Sequence, residues 1–144
     1  MAQDRDRDDA GRAQQARPRD ELGRPLPYGA QGVTPVPEEA LPPLEAVATA
    51  RQLARDGRPF AAHEVLEARW KTAAPAEREL WQGLAQVCVA VTHAARGNEV
   101  GAARLLDRAT GLLERYALTG GPTYGVDLDA TLTCARHEIA DARH

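Results

Sequence analysis

LWQGLAQVCVAVTHAA, running from Leu80 to Ala95, is sixteen residues without a charge. At that length it falls short of the roughly 20 residues that span a bilayer, and Gln82, Gln86, Thr92 and His93 interrupt it. The spacing therefore predicts a helix sheltered by other helices rather than by lipid. At about 100° per residue, Leu80, Leu84, Val87, Cys88 and Val91 share one side, and Gln82, Gln86 and His93 another. Three polar side chains on a sheltered helix need partners, because each one left unpaired costs about 1–3 kcal/mol.

Helical segments extend outward from this stretch in both directions. Upstream, Pro59 opens a helix that runs to about Ala73, and Pro75 and Glu77 lead into the central helix, which Gly97 ends. Further upstream a first helix spans Pro43–Arg55, with Leu44, Val47, Ala48 and Leu53 as its apolar positions and Asp56-Gly57-Arg58 as its stop. Downstream, Asn98 is a natural N-cap for a fourth helix, whose stripe is Ala102, Leu105, Leu106, Ala109, Leu112, Leu113 and Tyr116. Thr119-Gly120-Gly121-Pro122 breaks the chain, and a fifth helix starts near Asp127 or Asp129, with Leu128, Leu132, Ala135 and Ile139 on one face. A shift of 40 residues lays Gly57 on Gly97, Ala62 on Ala102, Val65 on Leu105 and Leu66 on Leu106. Each half reads as helix, tight glycine turn, helix. The expected fold is all-α: a compact bundle of about five helices built from two hairpins with tetratricopeptide-like packing, the fifth helix sealing one end.

Residues 38–144 make this helical domain. Residues 1–37 read as a charged N-terminal tail, then rich in Pro and Gly, expected to be disordered or to lie extended along the domain at Leu26, Tyr28 and Val33.

The chemically unusual stretch is His63-Glu64-x-x-Glu67-x-x-Trp70 in the second helix. With Phe60 at zero, the expected buried arc runs from Ala62 through Leu66, Trp70 and His63 to Phe60. His63 and Glu67 then lie inside it and Glu64 at its edge. A carboxylate is rarely buried without a partner. In one reading, His63, Glu64 and Glu67 bond to Gln82, Gln86, His93 or Arg69 in a structural network, so that the two polar stripes meet. In the other, His63 and Glu67 point at a metal ion or at a substrate such as an organic or peptide ligand, with Glu64 as general base and, for a metal, His93 as third ligand. That pattern resembles the zincin motif with its second His replaced by Glu. The candidate polar cluster comprises His63, Glu64, Glu67, Trp70, Trp81, Gln82, Gln86 and His93.

A net charge of −3 and interleaved Arg and acids give no field that would gather nucleic acid, and no segment is long and apolar enough to span a membrane. Cys88 and Cys134 lie far apart with no CxxC partner and read as two buried thiols of a cytoplasmic protein. The alternating Asp4, Asp6, Asp8 and Asp9 lack the glycine and glutamate of a calcium loop, and no phosphate loop or nucleophile elbow is present. His137 and His144 are expected in solvent. Whether any cofactor is bound stays open, as does a protein partner or a second copy of the chain.

Three motifs occur in order: Gly57-Arg58-Pro59-Phe60-Ala61-Ala62-His63-Glu64-Val65-Leu66-Glu67-Ala68-Arg69-Trp70-Lys71, then Leu80-Trp81-Gln82-Gly83-Leu84-Ala85-Gln86, then His93-Ala94-Ala95-Arg96-Gly97-Asn98 with Gly101-Ala102. Together they resemble the domain-of-unknown-function 309 family of bacterial proteins over residues 45 to 115. The resemblance implies a compact helical domain and brings no activity with it. The expected function is a non-enzymatic interaction or small-ligand-binding module with an inward polar cluster. The alternative is a metal-binding or hydrolase-like protein using His63, Glu64, Glu67 and His93.

Overall fold

The computed structural model describes residues 39–142, together with the backbone of two three-residue strands, β1 (Arg5–Arg7) and β2 (Ala13–Gln15), which pair antiparallel with Arg5 opposite Gln15. The remainder of the tail expected over residues 1–37, and His144, lie outside the described residues. Five helices follow: α1 (Pro43–Arg55), α2 (Pro59–Thr72), α3 (Arg78–Ala95), α4 (Glu99–Thr119) and α5 (Leu128–Asp141). A single 3-10 turn, Pro75–Glu77, leads into α3.

The two hairpins are closed by the same turn. After α1, Arg58 N–H donates to Leu53 O (2.9 Å) and Gly57 N–H to Ala54 O (3.1 Å). After α3, Asn98 N–H donates to His93 O (2.8 Å) and Gly97 N–H to Ala94 O (3.0 Å). Both are the 6→1 and 5→2 pair of a Schellman cap, and both place glycine in the left-handed region, at φ 76 and 87. The 40-residue repeat is thus a repeat of turn geometry as well as of side chains. Asn98 then caps α4 by accepting from Gly101 N–H, and Asp127 caps α5 by accepting from Ala130 N–H.

Central α3 packs against α2 on one flank and α4 on the other; α1 lies outside α2, and α5 rests on α3 and α4. Gly83 lets α4 come close: a Cβ there would stand 2.6 Å from Leu113 Cδ2. The core is aliphatic, with Leu80, Leu84, Val87 and Leu113 around the fully buried Trp81 and Tyr116.

Two expected faces are turned in the structure. On α1, Leu44 is 68% exposed and Ala48 lies in solvent, while Ala46, Val47 and Ala50 are buried. On α2 the buried residues are Pro59, Ala61, Ala62, Val65 and Leu66, and Phe60, His63, Glu67 and Trp70 are half-buried. With Phe60 at zero, the buried arc spans about 100° to 260°, rotated by roughly a quarter turn from the expected one. The cause is that α2 is clasped between α1 and α3. Two partners bury the flank of small Ala side chains, where close approach is possible, and leave part of each larger ring at the margin. Cys134 is also corrected, from buried to exposed; both cysteines are free.

Candidate functional site

His63 and Glu67 lie one turn apart on α2, and their side chains meet: His63 Nε2 is 3.2 Å from Glu67 Oε2, with Lys71 Nζ 3.5 Å from the other oxygen. The His63 hydrogen bond is the main reason the Glu67 carboxyl falls to about 2; burial opposes the shift, and the charges of His63 and Lys71 add to it. An ionised Glu67 can only accept, so Nε2 carries the proton and donates. His63 Nδ1 is sealed from solvent and has no partner. The ring tilts against Phe60 with centroids 5.0 Å apart, and the Arg96 guanidinium stands 5.6 Å over Phe60. Glu67 itself, 40% exposed, lies at the margin of the helix rather than within its apolar face.

His93 is held by the turn that ends α3. Asn98 Oδ1 accepts from Gly101 N–H at 2.9 Å, which orients the amide so that Asn98 Nδ2 faces His93 Nδ1 at 3.1 Å. Nδ2 is a donor, so Nδ1 accepts and Nε2 holds the proton. Burial first, and the charge of Arg96 second, lower the His93 pKa below 6.5.

The Gln82, Gln86 and His93 stripe falls on the half-buried side of α3, opposite the Leu80–Leu84–Val87 face. Gln86 Oε1 is sealed with no partner. Thr92, the fully buried polar residue of this helix, bonds back to Cys88 O at 2.8 Å. The hydrogen bonds of His63, Glu67 and His93 thus stay within their own helix or turn. Glu64 is half-buried and engaged by its surroundings. Among the described residues, no group of three or more His, Cys, Asp or Glu side chains stands close enough to hold a metal ion, so His63, Glu67 and His93 do not converge as a ligand set.

The two tryptophans part company. Trp81 is fully buried and belongs to the core. Its Nε1 donates to Glu77 Oε1 at 3.1 Å, and Tyr124 O–H donates to Glu77 Oε2 at 2.7 Å. The Tyr124 ring stacks on Trp81, with centroids 5.6 Å apart. Tyr116 O–H donates to Pro122 O at 2.6 Å, tying the same loop to α4. Glu77, by bonding to it, is the largest cause of the raised Tyr124 pKa. Trp70 is half-buried, its Nε1 sealed without an acceptor, and the Arg78 guanidinium stands 5.5 Å over its ring.

Sequence reasoning missed this Glu77 cluster. Glu77 and Tyr124 are 47 positions apart, and no local pattern marks the pair. The available hint was that an indole N–H in a core needs an acceptor, which a carboxylate one turn before Trp81 can supply.

No helix among the described residues is long and apolar enough to cross a membrane. No curated protein and no solved structure matches the chain. The family model of Domain of unknown function (DUF309) matches residues 47–105, a span that holds all three sequence motifs, so this part of the chain is similar to that family.

Proposed function

We propose that the protein is a non-enzymatic helical module for binding a protein or a small ligand, and that its His/Glu/Gln groups hold helices and turns in place instead of performing chemistry. The observation that carries this reading is the occupancy of the histidine nitrogens. A base or a metal ligand must present a nitrogen lone pair to its target. His63 spends Nε2 on Glu67 and seals Nδ1, while His93 spends Nδ1 on Asn98. The negative net charge favours a protein or small-molecule partner over nucleic acid. Two free cysteines fit a reducing, cytoplasmic setting, and the family resemblance suggests a bacterial one.

Elemental analysis of the purified protein, with thermal melts in the presence and absence of chelator, tests the reading. It expects no stoichiometric metal and no chelator-dependent shift in Tm. A bound metal ion whose removal lowers Tm would replace it with the metal-binding alternative built on His63, Glu64, Glu67 and His93.

A further inference from the structure

On α2, Arg69 falls at about 180°, in line with the buried Ala61, Ala62, Val65 and Leu66, and is itself half-buried with its Nε sealed from solvent. A cation in that position carries a desolvation cost unless an anion or a full set of acceptors meets it. Arg69 has neither. Nη1 donates to Leu41 O at 3.2 Å, at the long end for such a bond. Nε is sealed with no acceptor. The guanidinium carbon lies 6.0 Å from the centre of the Trp81 ring.

Glu77 and Glu79, the acids that lead into α3, are already committed. Glu77 spends its two oxygens on Trp81 and Tyr124. Glu79 bonds Arg115 Nε at 2.9 Å. Trp70 Nε1 is a second sealed donor without an acceptor, beneath the Arg78 guanidinium. Where α2 ends and α3 begins, donors and positive charge are left over.

The geometry points to an anion site at Arg69 that takes a carboxylate group. Leu41 claims Nη1, so the edge without an acceptor is Nε with Nη2, a flat two-donor fork that matches the two oxygens of a carboxylate. The indole of Trp81 backs the guanidinium, and Tyr124 borders it. Tyr124 is also where the border can give way: it is a non-glycine residue at φ 53, with Gly125 beside it at φ 83. Such a conformation costs about 1–3 kcal/mol and persists because its surroundings impose it. A backbone change at Tyr124-Gly125 that returned φ to the ordinary region would relieve that cost and shift the ring whose hydroxyl feels the Arg69 charge. This site lies at the opposite end of α2 from His63, and its existence does not depend on the role assigned to the histidines.

Sodium acetate is the probe, compared with sodium chloride at equal ionic strength. The readout is the ¹H–¹⁵N spectrum of the full chain, followed at the indole N–H of Trp70 and Trp81 and at Arg69 Nε–H. The expected result is a saturable acetate shift at Trp81 and Arg69 that chloride does not produce. Arg69→Lys keeps the charge but loses the fork, and should bind acetate at least about tenfold more weakly. Arg69→Met should abolish the Trp81 shift; if that variant does not fold, Arg69→Lys carries the test. The proposal is overturned if acetate and chloride act alike, or if Arg69→Lys binds acetate as tightly as the parent. Tighter binding of inorganic phosphate than of acetate would overturn the assignment to a carboxylate.

Discussion

A carboxylate whose folded-state pKa is depressed stabilises the protein above its unfolded value and loses that contribution as the pH falls. Glu67, lowered to about 2 from 4.5, therefore supports the fold fully above pH 4.5 and progressively less toward pH 2. Melts across that window should show Tm falling in the parent, and Glu67→Gln should flatten that fall. His93 has the same sign in a different window. Its neutral form is favoured in the fold, so its contribution is present above 6.5 and declines as the pH drops below that value. Glu77 belongs to the interior. Glu77→Ala strands the Trp81 indole N–H and the Tyr124 hydroxyl and should cost about 1–3 kcal/mol in chemical denaturation. Glu77→Gln keeps an acceptor oxygen and should cost less. Of the residues singled out in the sequence, His63, Glu67 and His93 do carry specific polar bonds. The His63–Glu67 pair was legible from its one-turn spacing, whereas the Asn98 amide that fixes His93 acts through a turn, and Tyr124 reaches Glu77 across 47 positions, which no helical wheel shows.

At the scale of elements, helix boundaries were legible because their signals are local. Pro59 fixes a first-turn φ, Gly57 and Gly97 supply left-handed caps, and Asn98 and Asp127 supply capping oxygens. The rotation of α2 about its axis was not legible. A wheel weights Phe60 and Trp70 heavily, whereas a helix clasped on both sides buries whichever flank admits the closest neighbours, here Ala61, Ala62 and Val65. Gly83 tests the same close-approach argument between α3 and α4. Propensity alone favours Ala over Gly in a helix by about 1 kcal/mol. Here the new Cβ would lie 2.6 Å from Leu113 Cδ2, and Leu113 is 1% exposed with no room to retreat. Gly83→Ala should therefore destabilise, by about 1–3 kcal/mol, as overpacking does. Asn98→Ala removes the α4 cap and should cost about 1 kcal/mol. It also removes the donor to His93 Nδ1, so the His93 titration should change in the same variant.

For the molecule as a whole, the bundle divides its two thiols sharply. Cys88 is half-buried, and burial, with Glu138 adding to it, pushes its thiol pKa up to about 12. Cys134 is exposed on α5. A thiolate is the reactive form, so a thiol reagent at neutral pH should modify Cys134 quickly and Cys88 far more slowly, fastest when the bundle opens. The Cys88 rate then reports the stability of the α3–α5 packing, and rapid reaction of both thiols would contradict that packing. In the proposed reading, the end of the bundle where α2 meets α3 is its binding end, and the His63–Glu67–Lys71 bonds along α2 help hold the helix that carries Arg69.

The central claim, that both histidines are structural, is tested most directly by a long-range ¹H–¹⁵N spectrum of the imidazole rings at neutral pH, recorded before and after addition of Zn²⁺. The account predicts the proton on Nε2 of both His63 and His93, with no shift of their ring nitrogens on adding one equivalent of metal. A His63 that carries its lone pair on Nε2, or coordinated nitrogen shifts at His63 and His93 together, would contradict it.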